Sequence, residues 1–409
     1  MNDGVIYLAD FTVGDTVDLG TSYAGSGYLE IMGDRLQGVS ADAATGIVSI
    51  VFDETGLSDL EGLVPVKSVA GFYSDVTGAD VSRSGKWIRA VMASDASDAD
   101  VVKTVNAAAG LGLTAGLQTV TLDASDAFAG SVAKRTGILA GLGQGVSIWA
   151  DVNGGRYEAK KLFNGAGYSS DIYAGVLGAD YTASCGGTIG MAVTVGTADT
   201  DTKNNIADAS ADSDYWGLSV YAAKAFGNVK VGADFGYTAS SNDVTAGLGI
   251  GKFSADTEAV TFGVRGEYLI EAGAFSIVPH VGLRWTHVAT DDFEAAFKTD
   301  VDSLNVWRMP IGVTVAGNVE AAGWKLAPTV DLSVVPALGD KDADMTVGFG
   351  GTTAVDKVSV RVVDCAPVQA TFGLSADKDN WSVSVSYQLG VGGHDRLNNA
   401  FNATVQYRF

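Results

Sequence analysis

Residues 381–391 read WSVSVSYQLGV, and this stretch decides the fold. Apolar or aromatic side chains occupy every second position from Trp381 to Leu389, and Ser or Gln fills the positions between them. Successive side chains of a β-strand point to opposite faces of the sheet. The alternation therefore predicts a strand with one apolar face and one polar face.

The same alternation recurs through the second half of the chain, in NVKVGADFGYTA (228–239), FSIVPHVGLRW (275–285) and WKLAPTVDLSV (324–334). Short turns follow the even-numbered strands, and we predict long loops after odd-numbered strands at 199–213, 241–256, 290–303 and 337–365. Twelve strands are predicted in all, at about 145–156, 170–183, 187–198, 214–226, 228–240, 257–270, 275–289, 304–318, 322–336, 366–377, 379–392 and 399–409.

A soluble β-sandwich also shows this alternation, because one face of each sheet forms its core. Three features favour a transmembrane β-barrel. The strands reach the length of about 9 to 11 residues that crosses a bilayer at a steep tilt. Turn lengths alternate as in outer-membrane barrels, and Trp216, Trp307 and Trp381 lie near strand ends, as interfacial girdles require. Lipid excludes open sheet edges, so we predict an all-β membrane protein with a closed antiparallel barrel.

The composition excludes several functions. The chain has 409 residues, with 48 Asp and Glu against 26 Lys and Arg and a formal net charge of −22. Nucleic-acid binding needs a basic surface, so we expect no nucleic-acid partner. The chain has three His and two Cys and lacks a recognisable catalytic or nucleotide-binding motif. We therefore expect no metal, no cofactor and no enzymatic activity.

The first part of the chain has a different pattern. Residues 1–98 mix short apolar runs with Gly and Asp, which predicts β-structure with turns. Residues 99–144 are rich in Ala and predict a helix that Gly110, Gly112 and Gly116 interrupt. The opening MNDGVIYLAD lacks the basic and apolar regions of a signal peptide, so either the protein is not exported or a signal has been removed upstream. The barrel prediction favours a removed signal.

In this order of parts the chain resembles the C-terminal translocator domain of classical monomeric autotransporters, the type V secretion family. The resemblance covers residues 20–409 and rests on the linker VNAAAGLGLTAGLQTVTLDASDAFAGSVAKRTG, the first strand GVSIWADVNGGRY, eleven further strands and the ending FNATVQYRF. The upstream stretch SGYLEIMGDRLQGVSADAATGIVSIVFDETG is similar to the β-solenoid and autochaperone region that ends many passengers.

The resemblance implies three units: a passenger remnant at 1–98, a helical linker in the barrel lumen at 99–144, and the translocator barrel at 145–409. A helix about 10 Å wide fits a twelve-stranded barrel, which is wider than the eight-stranded kind. The family implies a monomer in the bacterial outer membrane that contacts lipid and lipopolysaccharide and assists export of its own passenger to the cell surface. Further implied partners are the outer-membrane assembly machinery and periplasmic chaperones.

The ending carries the most specific part of the resemblance. Phe401, Val405, Tyr407 and Phe409 alternate onto the apolar face of the last strand, and Phe409 is the final residue. A machine that adds a strand to a sheet edge can read alternate side chains in pockets. The resemblance therefore implies that these four residues form the assembly signal.

The polar faces of the strands carry charges of both signs, which the barrel prediction places in the lumen. We expect these side chains to hydrate the interior and to pair with one another: Asp151, Lys230, Asp234, Arg265, Glu267, Arg284, Arg308 and Asp331.

Some autotransporters cleave their own linker at an Asn inside the barrel, which makes Asn106 a candidate with Asp151, Asp234, Glu267 or Asp331 as the polarising acid. The Asn-Asn dipeptide of the self-cleaving subfamily is absent from this linker, so we expect an ordinary linker residue. Cys185 and Cys365 are predicted at opposite membrane faces, too far apart for a disulfide, which needs Cα atoms within about 7 Å.

Two other functions fit the pattern. A plain outer-membrane pore or adhesin would carry residues 1–144 as an accessory domain, and it would conduct ions as an intact chain. A secreted soluble β-protein would purify without detergent.

Overall fold

A computed structural model describes residues 6–8, 11–21, 29–31, 34–76, 82–114, 116–140, 143–163 and 165–409. The two predicted N-terminal units are therefore described in part. In the predicted passenger remnant, residues 1–5, 9–10, 22–28, 32–33 and 77–81 lie outside the described residues, as do residues 115 and 141–142 of the predicted linker.

Twelve antiparallel strands close into a barrel, as the alternation predicted. Each strand pairs with the next, and the last pairs with the first, with Thr404 opposite Asp151. The strands are Gly145–Phe163, Ala166–Thr182, Gly187–Lys203, Ala209–Phe226, Val229–Ala246, Gly251–Tyr268, Phe275–Thr290, an interrupted eighth at Leu304–Arg308 and Ile311–Gly317, Trp324–Val334, Val368–Lys378, Trp381–Val391 and Leu397–Arg408.

The outer face of the barrel is apolar and the inner face is polar. Large apolar side chains on the outer face stay exposed, such as Val195, Leu332 and Phe372, whereas polar ones on the inner face are buried, such as Thr194 and Ser219. This is the pattern of a transmembrane barrel, because the outer positions face lipid and the inner positions face the lumen. Among the described residues, the helices do not combine enough length with enough apolar character to cross a bilayer.

Two of the predicted loops are wrong. Residues 199–213 and 241–256, here called the extended wall, are mostly strand, because the third to sixth barrel strands continue through them. Tight connections at 204–208 and 247–250 close them at what we call the upper end of the barrel. Beyond the bilayer the outer face no longer has to be apolar. The alternation therefore continues with Asp or Ser on the outer face and Ala on the inner face, and it lacks the large apolar side chains that indicate a membrane strand.

The predicted loops 290–303 and 337–365 also contain β-structure. Phe293–Glu294, Lys298–Val301, Asp342–Gly348 and Val355–Arg361 pair into a four-stranded sheet at the upper end, here called the loop sheet. The short strand Ala337–Gly339 pairs with Leu304–Arg308 instead. Four further short strands are described. Two are the barrel hairpin extensions Ile270–Ala272 and Val319–Ala321, and two form a parallel pair in the first unit, Ile6–Leu8 and Leu29–Ile31.

The prediction of β-structure over residues 1–98 is half correct. Strands Thr16–Asp18, Gln37–Asp42 and Ile47–Phe52 form a sheet, but helices follow at Glu54–Asp59, Val66–Asp75 and Arg83–Met92. Their buried apolar residues are spaced three and four apart, as at Val69, Phe72 and Tyr73, which is the helical period and not the period of two.

The linker is helical and is broken at Gly110 and Gly116, as predicted, whereas Gly112 lies inside a short helix. Helix Asp98–Ala109 ends at Gly110, Leu111–Thr114 follows, and the pore helix Leu117–Thr136 begins after Gly116, whose φ of +81° favours glycine. The pore helix spans about 30 Å at 1.5 Å per residue, the thickness of a bilayer core.

A single apolar core joins the N-terminal helices to the upper end of the barrel. It includes Phe72, Trp87, Val101 and Leu111 from the helices and Phe349 from the loop sheet side. The extended wall contributes its inner face through Ala207, Ala209, Ala211, Val244, Ala246, Phe253 and Ala255.

Candidate functional site

The interior of the barrel is occupied by the pore helix. Phe128 and Val132 of the helix form an apolar cluster with Trp149, Val176 and Tyr221 of the wall. One turn or two higher, Val120 and Ala124 contact a second cluster that contains Ile172, Ala198 and Tyr215. The helix packs on the first seven strands. The apolar inner-face side chains of the two clusters come from the first four of these strands.

A buried ion pair fixes the lower end of the helix. The Arg135 guanidinium donates from Nε and Nη2 to the two oxygens of Asp180, each at 2.6 Å, and the two side chains are 3% and 0% exposed. Tyr221 donates to the same carboxylate at 2.9 Å, and the Trp149 indole donates to the Tyr221 hydroxyl at 2.8 Å. A buried pair of this kind needs such added hydrogen bonds to offset its desolvation.

Four of the predicted lumen charges contact the helix or its end. Asp151 accepts from Ser131 at 2.9 Å and Arg308 pairs with Asp126. The carboxylate of Glu267 accepts from the Ile138 amide at 2.5 Å, and Lys230 donates to the Gly137 carbonyl at 2.8 Å. The Glu267 and Lys230 contacts lie just past the helix end, where the last carbonyls lack partners within the helix.

The other predicted charges pair within the wall. Arg284 donates to both oxygens of Asp234 at 2.8 Å. Arg265 donates to Glu267 at 2.7 Å. Asp331 is bonded to His280 Nε2 at 2.7 Å and accepts from Thr314 and Ser333 at 2.6 Å.

On the opposite side of the helix lies a water-accessible cavity of about 300 Å³. Its wall comes from the last strands through Ser386, Gln388, Asn398 and Asn402, and its helix side includes Asp126 and Lys134. Lys134 donates to Ser386 at 2.8 Å across this cavity. The helix thus fills one side of the lumen and leaves a polar space on the other.

A closed barrel with a helix through its lumen agrees with what comparison of the sequence finds. The family model described as the autotransporter beta-domain matches residues 148–388, more than half of the chain. The chain belongs to the autotransporter family. Its barrel is an outer-membrane translocator for passenger export.

Solved autotransporter structures share this fold. The translocator domain of the autotransporter NalP from Neisseria meningitidis matches with a TM-score of 0.53 at 16% identity, over 71% of this chain and 99% of that chain. The transport unit of the autotransporter AIDA-I from Escherichia coli matches with a TM-score of 0.52 at 15% identity, over 69% of this chain and 97% of that chain. At these identities the likeness establishes the fold alone. No curated protein matches the sequence.

The last strand of this autotransporter barrel presents its predicted signal residues outward. Phe401 and Phe409 are 47% and 68% exposed. The Tyr407 ring contacts Trp381 at 4.8 Å and Phe409 at 4.9 Å between centroids. Val405 lies opposite Val383 of the preceding strand. The assembly role of these residues remains a prediction.

Asn106 does not lie among the lumen acids. Its side chain accepts from the Val64 amide at 2.8 Å and donates to the Gly62 carbonyl at 2.9 Å, so it joins the linker to the N-terminal helices. Cys185 and Cys365 are free and exposed. Within the part of the chain that the structure describes, His, Cys, Asp and Glu do not gather in threes as a metal site would require.

The residues that sequence reasoning missed are Trp149, Asp180, Tyr221, Asp126 and Arg135. On the second strand, Ile172 and Val176 share the inner face with Asp180, so the alternation is blurred there. The available signal was the pair Lys134 and Arg135 at the end of the predicted linker, since cations inside a lumen require acidic partners.

Proposed function

We propose that residues 145–409 export a passenger whose last part is residues 1–98, and that residues 99–144 are the linker that stays in the pore. The observation that carries this proposal is the course of the chain. The pore helix begins at the upper end beside the Asp302 carbonyl, to which Gln118 donates, and ends at the lower end beside Asp180. We assign the upper end to the cell surface, so that the described residues before the pore helix lie where an exported segment belongs.

The lumen contacts would hold the linker after export. Family membership makes the domain a transport unit, and we assign no bond-breaking step to it. Transport then needs a bias, which the burial of apolar surface by residues that fold outside can supply.

The central experiment places an epitope before Met1 and measures its accessibility to antibody and protease on intact cells. We expect the epitope at the surface, with the barrel resistant to unfolding by detergent at room temperature. An epitope that stays in the periplasm below a correctly assembled barrel would contradict the proposal.

Conductance in planar bilayers tests the alternative of a plain pore. The intact chain is expected to be closed, and a variant that lacks residues 100–141 is expected to conduct. Full conductance by the intact chain would favour the plain pore.

We also propose that the closing strand is read by the assembly machinery. Phe409→Ala is expected to reduce the amount of assembled barrel in cells by at least several-fold. Phe275→Ala is the matched control, because Phe275 is also an exposed aromatic residue at the lower end, 55% exposed. Equal losses in the two variants would mean that Phe409 serves only as a lipid anchor.

A further inference from the structure

The helices Val66–Asp75, Arg83–Met92, Asp98–Ala109 and Leu111–Thr114, here called the cap helices, interlock with the barrel loops. A row of aromatic rings crosses the boundary. Phe72 contacts Phe349 at 5.2 Å, Phe349 contacts Phe297 at 4.7 Å, and Phe297 contacts Trp87 at 6.0 Å between centroids. The two middle rings belong to barrel loops and the two outer rings belong to cap helices. All four are buried.

Barrel loops also bind the first turns of two cap helices. Asp356 of the loop sheet accepts from the Ser68 amide at 2.6 Å. The N-cap residue of this helix, Pro65, makes no side-chain capping hydrogen bond. Glu294 accepts from the Ser84 amide at 2.9 Å. Carboxylates at helix N-termini satisfy free amide groups and interact favourably with the helix dipole.

The tip of the extended wall adds contacts in which the cap helices again donate. Trp87 donates from its indole to the Leu248 carbonyl at 3.1 Å, and the Arg83 guanidinium donates to the Ile250 carbonyl. Backbone amides lack partners within a helix only in its first turn. Because the loop carboxylates bind the Ser68 and Ser84 amides, these contacts require that both segments be helical.

The docked helices cover the upper mouth. Leu111 and Leu113 are buried at 1% and 3% exposure. A Cβ added to Gly112 would meet the Phe293 ring at 2.4 Å, and one added to Gly110 would meet Phe163 at 2.7 Å. Below them, Val362 and Val363 border the lumen cavity. The mouth is thus closed by apolar packing that is separate from the Arg135–Asp180 ion pair at the lower end of the pore helix.

We propose that the pore has two closures in series: the pore helix in the lumen and the docked cap helices at the upper mouth, held by Asp356 and Glu294. The cap stays on the barrel, so the pore remains shut to ions when the helix alone is lost. The proposal rests on the proposed function for its orientation only, since it concerns the assembled protein.

The test combines two changes in the full chain, reconstituted in planar bilayers. In the first, residues 117–136 are replaced by a Gly-Ser segment of equal length, which removes the helix but keeps the cap. In the second, Glu294→Gln and Asp356→Asn together remove the two loop carboxylates. Asp302→Asn is the matched control, because its carboxylate pairs with Lys357 of the loop sheet and has no cap-helix partner among the described contacts. Phe349→Lys is a second undocking variant.

We expect the helix-replaced protein to stay within two-fold of wild-type conductance and to rise at least five-fold once an undocking change is added. Trypsin cleavage after Lys67, Lys86 and Arg89 reports docking of the cap helices separately. Its rate is expected to rise roughly five- to ten-fold for each loop carboxylate removed. The control leaves both readouts unchanged.

Two results would overturn the proposal. One is a helix-replaced protein that conducts as fully as the combined variant. The other is cleavage of the cap helices at the wild-type rate in all variants, Phe349→Lys included. Neither readout involves export, so failure of the epitope to reach the surface would count against the proposed function and not against the double closure.

Discussion

At the scale of single residues, the fit of Trp149 depends on the absence of a side chain at Gly178. A Cβ at Gly178 would lie 2.3 Å from the Trp149 ring, whereas one at Gly175 of the same strand would meet nothing within 4 Å. We expect Gly178→Ala to lower the free energy of unfolding in urea by about 1–3 kcal/mol, the usual cost of overpacking. Gly175→Ala is expected to be neutral, and equal effects of the two would show that Trp149 can move freely.

The buried pair of Arg135 and Asp180 makes a second prediction. Asp180→Asn leaves the Arg135 charge in the lumen without its anion and is expected to destabilise the folded protein by about 3–5 kcal/mol. Lys161→Met removes an exposed pair with Asp395 and is expected to give no measurable change. Denaturant unfolding in detergent measures both. A small loss for Asp180→Asn would mean that water reaches the Arg135 guanidinium.

Asp34 gives the N-terminal unit a pH dependence. Burial raises the pKa of its carboxyl, although the Leu36 amide and the Tyr73 hydroxyl oppose the shift. The folded carboxyl then keeps its proton to higher pH than the unfolded one, so stability falls as pH rises through the interval that starts near the ordinary value of 3.8.

We expect Asp34→Asn to flatten this dependence in urea unfolding followed by circular dichroism. Asp42→Asn is the control with the opposite sign, because the Ala44 amide lowers the pKa of Asp42. A wild-type stability that is constant from pH 4 upward would exclude the Asp34 contribution.

At the scale of strands, a row of like charges crosses the outer face of the extended wall and of the neighbouring second strand. Asp171, Asp199, Asp212 and Asp243 lie directly opposite one another on four neighbouring strands. Like charges in this position destabilise a sheet. Asp201, on the same strand as Asp199, lies opposite two serines.

Asp199→Asn is therefore expected to stabilise the wall by roughly 0.2–1 kcal/mol for each facing carboxylate at low ionic strength. The gain should shrink in 1 M salt, where the screening length falls to about 3 Å. Asp201→Asn is expected to change little. Thermal unfolding at two salt concentrations checks this, and equal gains for both variants would point to net charge and not to register.

At the scale of the whole molecule, the extended wall supports the cap helices and the bilayer-spanning part of the barrel does not need it. Replacing residues 199–212 by Asn-Gly joins Ala198 to Ser213, which already lie opposite each other. We expect the barrel to remain closed and the cap helices to become sensitive to trypsin, because Ala207, Ala209 and Ala211 leave the shared core. A cap that stays protected would show that the loop sheet alone holds it.

The sequence by itself determined the barrel, since the period of two from Trp381 to Leu389 recurs often enough to fix strand number, faces and closure. It also determined the breaks in the linker, because Gly110 and Gly116 act locally. It did not separate helix from strand in residues 54–92, where short apolar runs fit both periods. It did not predict the parts of the third to sixth strands that lie above the membrane, because Asp occupies outer-face positions there where apolar residues stand lower down.

Only the tertiary structure decided which distant groups meet. Asp180 binds Arg135 because the second strand and the pore helix share one lumen, and Asp356 caps the helix at Ser68 across most of the chain. Such contacts depend on how distant segments are placed in three dimensions. The hydrophobic periodicity of each segment would be the same whether or not these contacts formed. Periodicity reports the environment of a face, whether lipid, water or core, but it does not name the partner on the other side.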